Sequence, residues 1–336
     1  MSHCGIGRKA EAMERRETGK EEDGFPIRRG VVVDWRKMER LWEHTFAEEL
    51  RCSPESNFSV MLAEAPGTTA ADREKCAQIM FETFKAPALC FFNSAALSLF
   101  ASGRTRGVVL ECGAGVSQAV PVFEGFALAH ALRRRDLGGA DVTESLAAEL
   151  AKANSESQKL PWSLLGDLKE RLCRVKQRQL FGDLDPSEDQ QPFVDYELPD
   201  GTALSLGLET RIAAAEVLFL KKNAQDATLP ELVVQAIGMC DRDLQTDFKA
   251  AVVLAGGTAM LPGFCARVKD DLNAAFTDDS IRVVPGATAE RGYNSQRKHA
   301  AWIGGSIFAS LETFKQVRVN KQEWEDDEHI IHRKAF

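Results

Sequence analysis

Apolar and polar positions along the chain alternate between two periods. Behind Asp34, which is placed to cap a helix, Met38, Leu41, Trp42, Thr45, Phe46 and Leu50 recur at helical spacing. The run "FSVMLAEAP" at 58–66 predicts a buried strand stopped by proline. "DREKCAQIMFETF" at 72–84 predicts a helix, and "NSAALSLFASG" at 93–103 a mostly buried one. Two short apolar runs follow, Val108 to Leu110 and Val116 to Val122, separated by a turn that carries Gly113 and Gly115. "DVTESLAAELAKA" and "WSLLGDLKERLCRVKQ" are amphipathic helices, and 178–209 is polar, with a hairpin expected around Asp200-Gly201. "KAAVVLAGGTAMLPGFCARVKDDLNAAF" predicts a strand, a glycine turn and a helix; "IRVVPG" predicts a further strand. "AAWIGGSIFASLETFKQV" predicts one helix weakened by Gly304 and Gly305. Strands alternating with helices predict an α/β fold with sheets covered on both faces.

Composition narrows the function. The 336 residues are 44% hydrophobic and 27% charged, enough for a sizeable core in two domains. A net charge of −8 argues against broad binding to nucleic acid or anionic membranes, so the basic stretch Arg133 to Arg135 is read as a solvated face. Eight cysteines without a C-x-x-C pair, and six histidines without ligand spacing, argue against a structural zinc site. Cys76, Cys90 and Cys173 fall inside apolar helical patterns and read as small buried hydrophobes. No signal peptide or membrane-length apolar run is present, which places the chain in the reducing cytosol or nucleus. Residues 1–24 are charged and poor in large apolar groups, so they are expected to be disordered.

Two glycine turns carry the candidate chemistry. Gly113 and Gly115 flank Ala114, a spacing that lets backbone N–H groups surround a phosphate. Gly256 and Gly257 end a buried strand where a helix is expected to begin, and helix N-terminal N–H groups suit an anion or a purine edge. Met260 and Leu261 supply an apolar wall for a base. A tight turn without a ligand produces the same letters, and an isolated Lys169-Glu170 pair is ordinarily a solvated face.

The C-terminal "RKHAAWIGGSIFASLETFKQVRVNKQEWEDDEHIIHRKAF" resembles the closing segment of actin nearly position by position. So do "MERLWEHTFAEELR", "LAEAP", "REKCAQIMFETFKAPAL", "LSLFASGRTRG", "VPVFEGFALAHA", "DLKERLC" and "GGTAMLPG". The resemblance runs from about Phe25 to Phe336 and weakens at 146–166, 208–247 and 276–296. "NAQDATLPELVVQAIGMCD" and "PGATAERGYNSQ" depart from actin, which favours a diverged, actin-like or actin-related member.

The actin family implies two α/β domains flanking a cleft that holds ATP or ADP with Mg2+ between two phosphate hairpins. The first domain is expected over 25–106 and 297–336. The second is expected over 107–296, with a helical outer part at 144–235. The second hairpin of the family reads acid, small residue, Gly, acid, Gly, Val, Thr, His. Here it reads Glu111, Cys112, Gly113, Ala114, Gly115, Val116, Ser117, Gln118. Glu111 thus matches an acid that acts on the metal indirectly, the second acid is replaced by Ala114, and glutamine replaces histidine. Ser94 stands where the family carries its water-orienting glutamine. Losing one such group commonly costs about 10²–10³ in rate. Lys169 and Glu170 match the ribose- and base-contacting pair; Gly256, Gly257, Thr258 and Met260 match the adenosine loop; Lys298 matches a lysine along the base. The family's first hairpin and small clamp domain have no counterpart upstream of Phe25, so polymerisation is expected to be impaired.

Partners are expected to be actin or actin-binding proteins, docking in a groove whose lining matches Phe100, Ala101, Gly103, Thr105, Phe308, Leu311, Thr313 and Val317. For Phe308 and Leu311, helical spacing alone does not separate core from groove. The resemblance thus implies a cytoskeletal, ATP-binding protein of the cytoplasm, or of the nucleus, with weak turnover. The alternative is a non-hydrolysing scaffold subunit of a larger complex. The closing "KQEW…HRKAF" tells against a sugar kinase or chaperone ATPase. A truncated chain with an exposed sheet edge is the remaining reading.

Overall fold

The computed structural model of the protein describes residues 24–55, 58–153, 160–176, 191–199, 201–221, 223–276, 281–286 and 291–334. The 1–24 segment therefore lies outside the described residues up to 23. Two compact units are present: one from described residues up to 109 with 120–132 and 299 onward, the other from 110–119 and 133–298. The sequence-based limits put 107–109 and 120–132 in the second domain and 297–298 in the first, the reverse of these units. Val122 pairs with Ala127, whereas Ser117, Gln118 and Ala119 of the same strand pair with Arg135, Arg134 and Arg133.

In the first unit a sheet runs in the order Val319–Asn320, Ala88–Asn93, Ser59–Glu64. Ser59–Glu64 lies parallel to Ala88–Asn93, from Ser59 opposite Ala88 to Glu64 opposite Asn93. The central strand, ALCFFN, is buried through Phe92, which explains its unbroken apolar run. Ala77, Met80, Phe81, Trp324 and Ile331 pack into one core cluster with Leu89 and Phe91, and Phe81 stacks on Trp324 at 5.0 Å. The helix Ala70–Gln78 ends in a π-helical turn, Ile79–Thr83, within the predicted 72–84 span.

Helix Ser94–Ala101 leaves the central strand directly, its first N–H groups taken by the Asn93 side chain at 3.0 Å (Ala95) and 3.3 Å (Ala96). It crosses Ala300–Ala309 so closely that a Cβ on Gly304 would lie 1.7 Å from the Leu97 carbonyl oxygen. The single helix expected over 300–317 is broken: Ala300–Ala309 stops and Phe314–Val317 forms a separate turn. Ser310 Oγ donates to the Ile307 carbonyl at 2.6 Å, and bonds spanning three residues, such as Leu311 N–H to Phe308 O at 3.0 Å, turn the chain.

A six-stranded sheet runs Val283–Val284, Val252–Ala255, Gly107–Cys112, Ser117–Phe123, Phe126–Ala127, with Arg133–Arg135 also paired to Ser117–Phe123. Val252–Ala255 is parallel to Val283–Val284 and buried along its length. Gly139–Ala153, Trp162–Leu172, Leu208–Glu216, Leu229–Gly238 and Phe264–Ala275 are the longer helices of the second unit. The expected hairpin is present as Phe193–Glu197 against Ala203–Gly207, although residue 200 of its turn lies outside the described residues. No described helix is long and apolar enough to cross a membrane.

Candidate functional site

The turn after Gly107–Cys112 is closed by Gly113 N–H donating to the Val116 carbonyl at 2.9 Å. Its own carbonyls face the protein. The Gly113 carbonyl accepts from Gly139 N–H at 3.0 Å and from Thr258 Oγ1 at 2.8 Å; the Ala114 carbonyl accepts from Ala140 N–H at 2.7 Å. In a trans peptide the C=O and the following N–H point in opposite directions. The Ala114 N–H therefore faces away from this anchor.

The close approach depends on absent side chains. A Cβ on Gly138 would lie 2.6 Å from the Gly113 oxygen and 2.7 Å from the Ala114 oxygen. A Cβ on Gly256, at φ +93°, would lie 2.3 Å from the Cys112 oxygen. A Cβ on Gly139 would meet Thr258 Oγ1 at 2.7 Å and Lys169 Nζ at 3.4 Å. Gly113, Ala114, Lys169, Gly256 and Thr258, scattered over more than a hundred residues, are thus drawn to one place. Sequence reasoning missed Gly138 and Gly139; the only signal was a second Gly-Gly pair ahead of a helix.

At the base of the turn, Gln118 is 5% exposed, and its Nε2 donates to Glu111 Oε2 at 2.9 Å. The other amide atom, Gln118 Oε1, is buried with no hydrogen-bond partner. The turn's sole carboxylate thus shares its oxygen with an amide, and Ala114 offers no second one. One carboxylate thus stands where the family pattern has two, and one of its oxygens accepts from Gln118.

The second glycine turn corrects one expectation. Gly256 and Gly257 do not open the long helix. A single 3₁₀ turn, Thr258–Met260, follows them, and the helix starts only at Phe264, after Pro262 and Gly263 at φ +83°. The loop is instead pinned from behind: Gly256 N–H donates to the Arg297 carbonyl at 3.1 Å. The buried Arg297 guanidinium is held by the Ala259 carbonyl (2.6 Å from Nη2), the Asn294 carbonyl (2.9 Å from Nη1) and the Asn294 side chain. This places Lys298, exposed, beside the loop. Met260 and Leu261 line a cavity of about 480 Å³ with Cys265, Asn294 and Arg297, while Lys169, Glu170 and Lys298 do not line it. Val116 is half-buried and Glu170 exposed.

The residues matched to a partner groove and Ser94 belong to the first unit. Ser94 is buried as the first residue of its helix. Phe100 and Phe308 stack with centroids 6.0 Å apart, and Phe308 also contacts the buried Phe92 at 4.4 Å and Phe314 at 6.2 Å. Phe308 therefore serves core and surface at once. Leu311 is 49% exposed, and Gly103, Thr105 and Thr313 are exposed, whereas Ala101 and Val317 are half-buried.

Burial pushes the thiol of Cys112, adjoining Gly113, up to about 12, so it is no nucleophile. The geometry assembles one tight glycine turn anchored by two other segments, Gly139–Ala140 and Thr258. The actin family model matches residues 6–336, essentially the whole chain, and the protein therefore belongs to the actin family and carries its α/β fold.

Proposed function

We propose that this actin-family chain holds ATP or ADP on the Gly113–Val116 turn and the Gly256–Met260 loop, and hydrolyses it poorly, as a cytoplasmic, cytoskeletal protein. The Ala114 N–H, turned away from the anchored Gly113 carbonyl, and the Lys169 ammonium beside Gly139 support phosphate holding. The observation that carries the weak-turnover reading is the bond from Gln118 Nε2 to Glu111 Oε2. An amide has no basic nitrogen with which to take a proton from water, and here it spends its donor on the one carboxylate. The decisive measurement is calorimetric titration with ATP and ADP, with and without magnesium, alongside phosphate release. Binding with release at background is the expected outcome; a magnesium-dependent turnover abolished by Glu111→Ala would refute the proposal.

The Phe100–Phe308 stack and exposed Leu311 support a second role, docking an amphipathic helix from actin or an actin-binding protein. On that reading the chain is a scaffold whose nucleotide is structural. Leu311→Asp is then expected to abolish co-sedimentation with such a partner while leaving ATP binding unchanged.

A further inference from the structure

Far along the chain from both glycine turns, the C-terminal residues of the first unit bring two imidazoles to one carboxylate. We propose that Glu74, His329 and His332 form a site for a divalent transition-metal ion of the zinc class, which fastens the C-terminal segment to the helix Ala70–Gln78. One ligand atom from each residue lies within 4.8 Å of the others. His332 Nε2 is 2.9 Å from Glu74 Oε1, and His329 Nδ1 is 3.8 Å from the same oxygen. Tetrahedral zinc with bonds of about 2.0–2.1 Å sets its ligand atoms about 3.4 Å apart. The observed separations bracket that value. The larger adjustment falls to His329, whose side chain is 79% exposed.

The site is built on a fixed base. Ile331, 1% exposed, is buried in the core cluster with Ala77 and Trp324, which holds the short helix Ile330–Arg333 in place. The surroundings favour a cation. A neighbouring cavity of about 330 Å³ shares Glu74 and is lined by Glu82 and Glu328, against the single cation Lys75. Arg73 also faces the cluster, with Nη1 3.4 Å from His332 Nδ1, but Glu64 neutralises its guanidinium through bonds of 2.8 and 2.5 Å. His332 turns its Nε2 toward Glu74, and a metal held by that nitrogen requires the ring proton on Nδ1, which opens the long Arg73 contact.

Two imidazoles and one carboxylate are borderline donors, suited to Zn2+, Co2+, Ni2+ or Cu2+ rather than to Mg2+ or Ca2+. The expectation that the six histidines lack ligand spacing fails at His329 and His332, which the fold brings to Glu74 from far along the chain.

The test is titration of the chelator-stripped full-length chain with ZnCl2 by calorimetry, and with Co2+ by visible absorption. Wild type is expected to bind zinc, with His329→Gln, His332→Gln and Glu74→Gln each weakening it about tenfold or more, and His130→Gln leaving it unchanged. Zinc is also expected to raise the melting temperature of wild type but not of His329→Gln. Because His329 is exposed, its variant decides the matter even should His332→Gln fold poorly. Failure of wild type to take up zinc overturns the proposal, and so does unchanged affinity in His329→Gln.

Discussion

Replacing Gly304 by alanine sets two effects of opposite sign against each other. In the middle of Ala300–Ala309 the substitution improves helix propensity by about 1 kcal/mol. Against that, the new Cβ would lie 1.7 Å from the Leu97 carbonyl oxygen and 2.5 Å from its carbon. A retreat of about 1.3 Å brings it only to 3.0 Å, the shortest distance such atoms tolerate. The obstacle is backbone rather than a rotatable side chain, so one helix must move as a body. A gap of 0.5–1 Å forfeits about a quarter to a half of each contact's attraction, and the affected layer includes Leu97 and Leu99, both fully buried. Overpacking at the upper end of its usual range costs about 3 kcal/mol, leaving a net loss of about 2 kcal/mol. For a unit of this size that corresponds to a fall in melting temperature of about 4–8 °C.

The neighbouring Gly305 is the internal control. Its Cβ would meet only Met61 Sδ at 3.4 Å and Leu97 Cδ1 at 3.6 Å, both ends of flexible side chains. Gly305→Ala should therefore keep most of the propensity gain, about 0.5–1 kcal/mol. Circular dichroism with urea and with heat on the two variants decides the matter. A Gly304→Ala chain as stable as wild type would refute the close-crossing argument. The same displacement would carry Phe308, one turn along, off Phe92, so partner docking should weaken along with stability.

Three further outcomes are expected. Gly138→Ala should weaken ATP binding and cost about 1–3 kcal/mol of stability, because its Cβ enters the space of the Gly113 and Ala114 oxygens; unchanged affinity would remove the turn from the nucleotide site. Asn93→Ala should cost about 1 kcal/mol in urea denaturation through loss of the cap on Ala95 and Ala96, while Asn93→Asp should retain most of it. Burial pushes the thiols of Cys90, Cys112 and Cys173 from an ordinary value of 9.0 up to about 12. Folding thus favours the neutral thiol: its stabilisation is complete below about pH 9 and is lost as pH rises toward 12, so the urea midpoint should fall steadily over that window; a flat profile would contradict it.

What could be read from the letters was local. Asp34 accepts from Lys37 N–H at 3.0 Å, as its place ahead of an apolar period implied. The Val252–Ala255 strand and the Phe193–Glu197 hairpin arm also follow from runs of a few residues. The misreadings share one cause, contacts between segments distant in sequence. By propensity alone Gly304 weakens a helix; the Leu97 carbonyl that requires it lies on a helix two hundred residues earlier. Gly256 and Gly257 resemble the start of a helix, yet the Arg297 carbonyl and the Cys112 backbone determine their position. Gln118 reads as a substitution, and only the fold shows that its amide reaches Glu111 seven residues back across a turn. Tertiary satisfaction of polar groups overrides local preference at these positions, which is where sequence-level consistency is expected to fail.

The clasp between the Ala114 and Gly113 carbonyls and the first amides of Gly139–Ala153 has a mechanical meaning. Those amides are satisfied by the turn itself, so the helix cannot slide relative to it without breaking bonds at 2.7 and 3.0 Å. The turn is thereby tied to the start of a helix about 22 Å long, at 1.5 Å per residue over its fifteen residues. A sub-ångström tilt at the turn, whatever produces it, is delivered enlarged at Ala153.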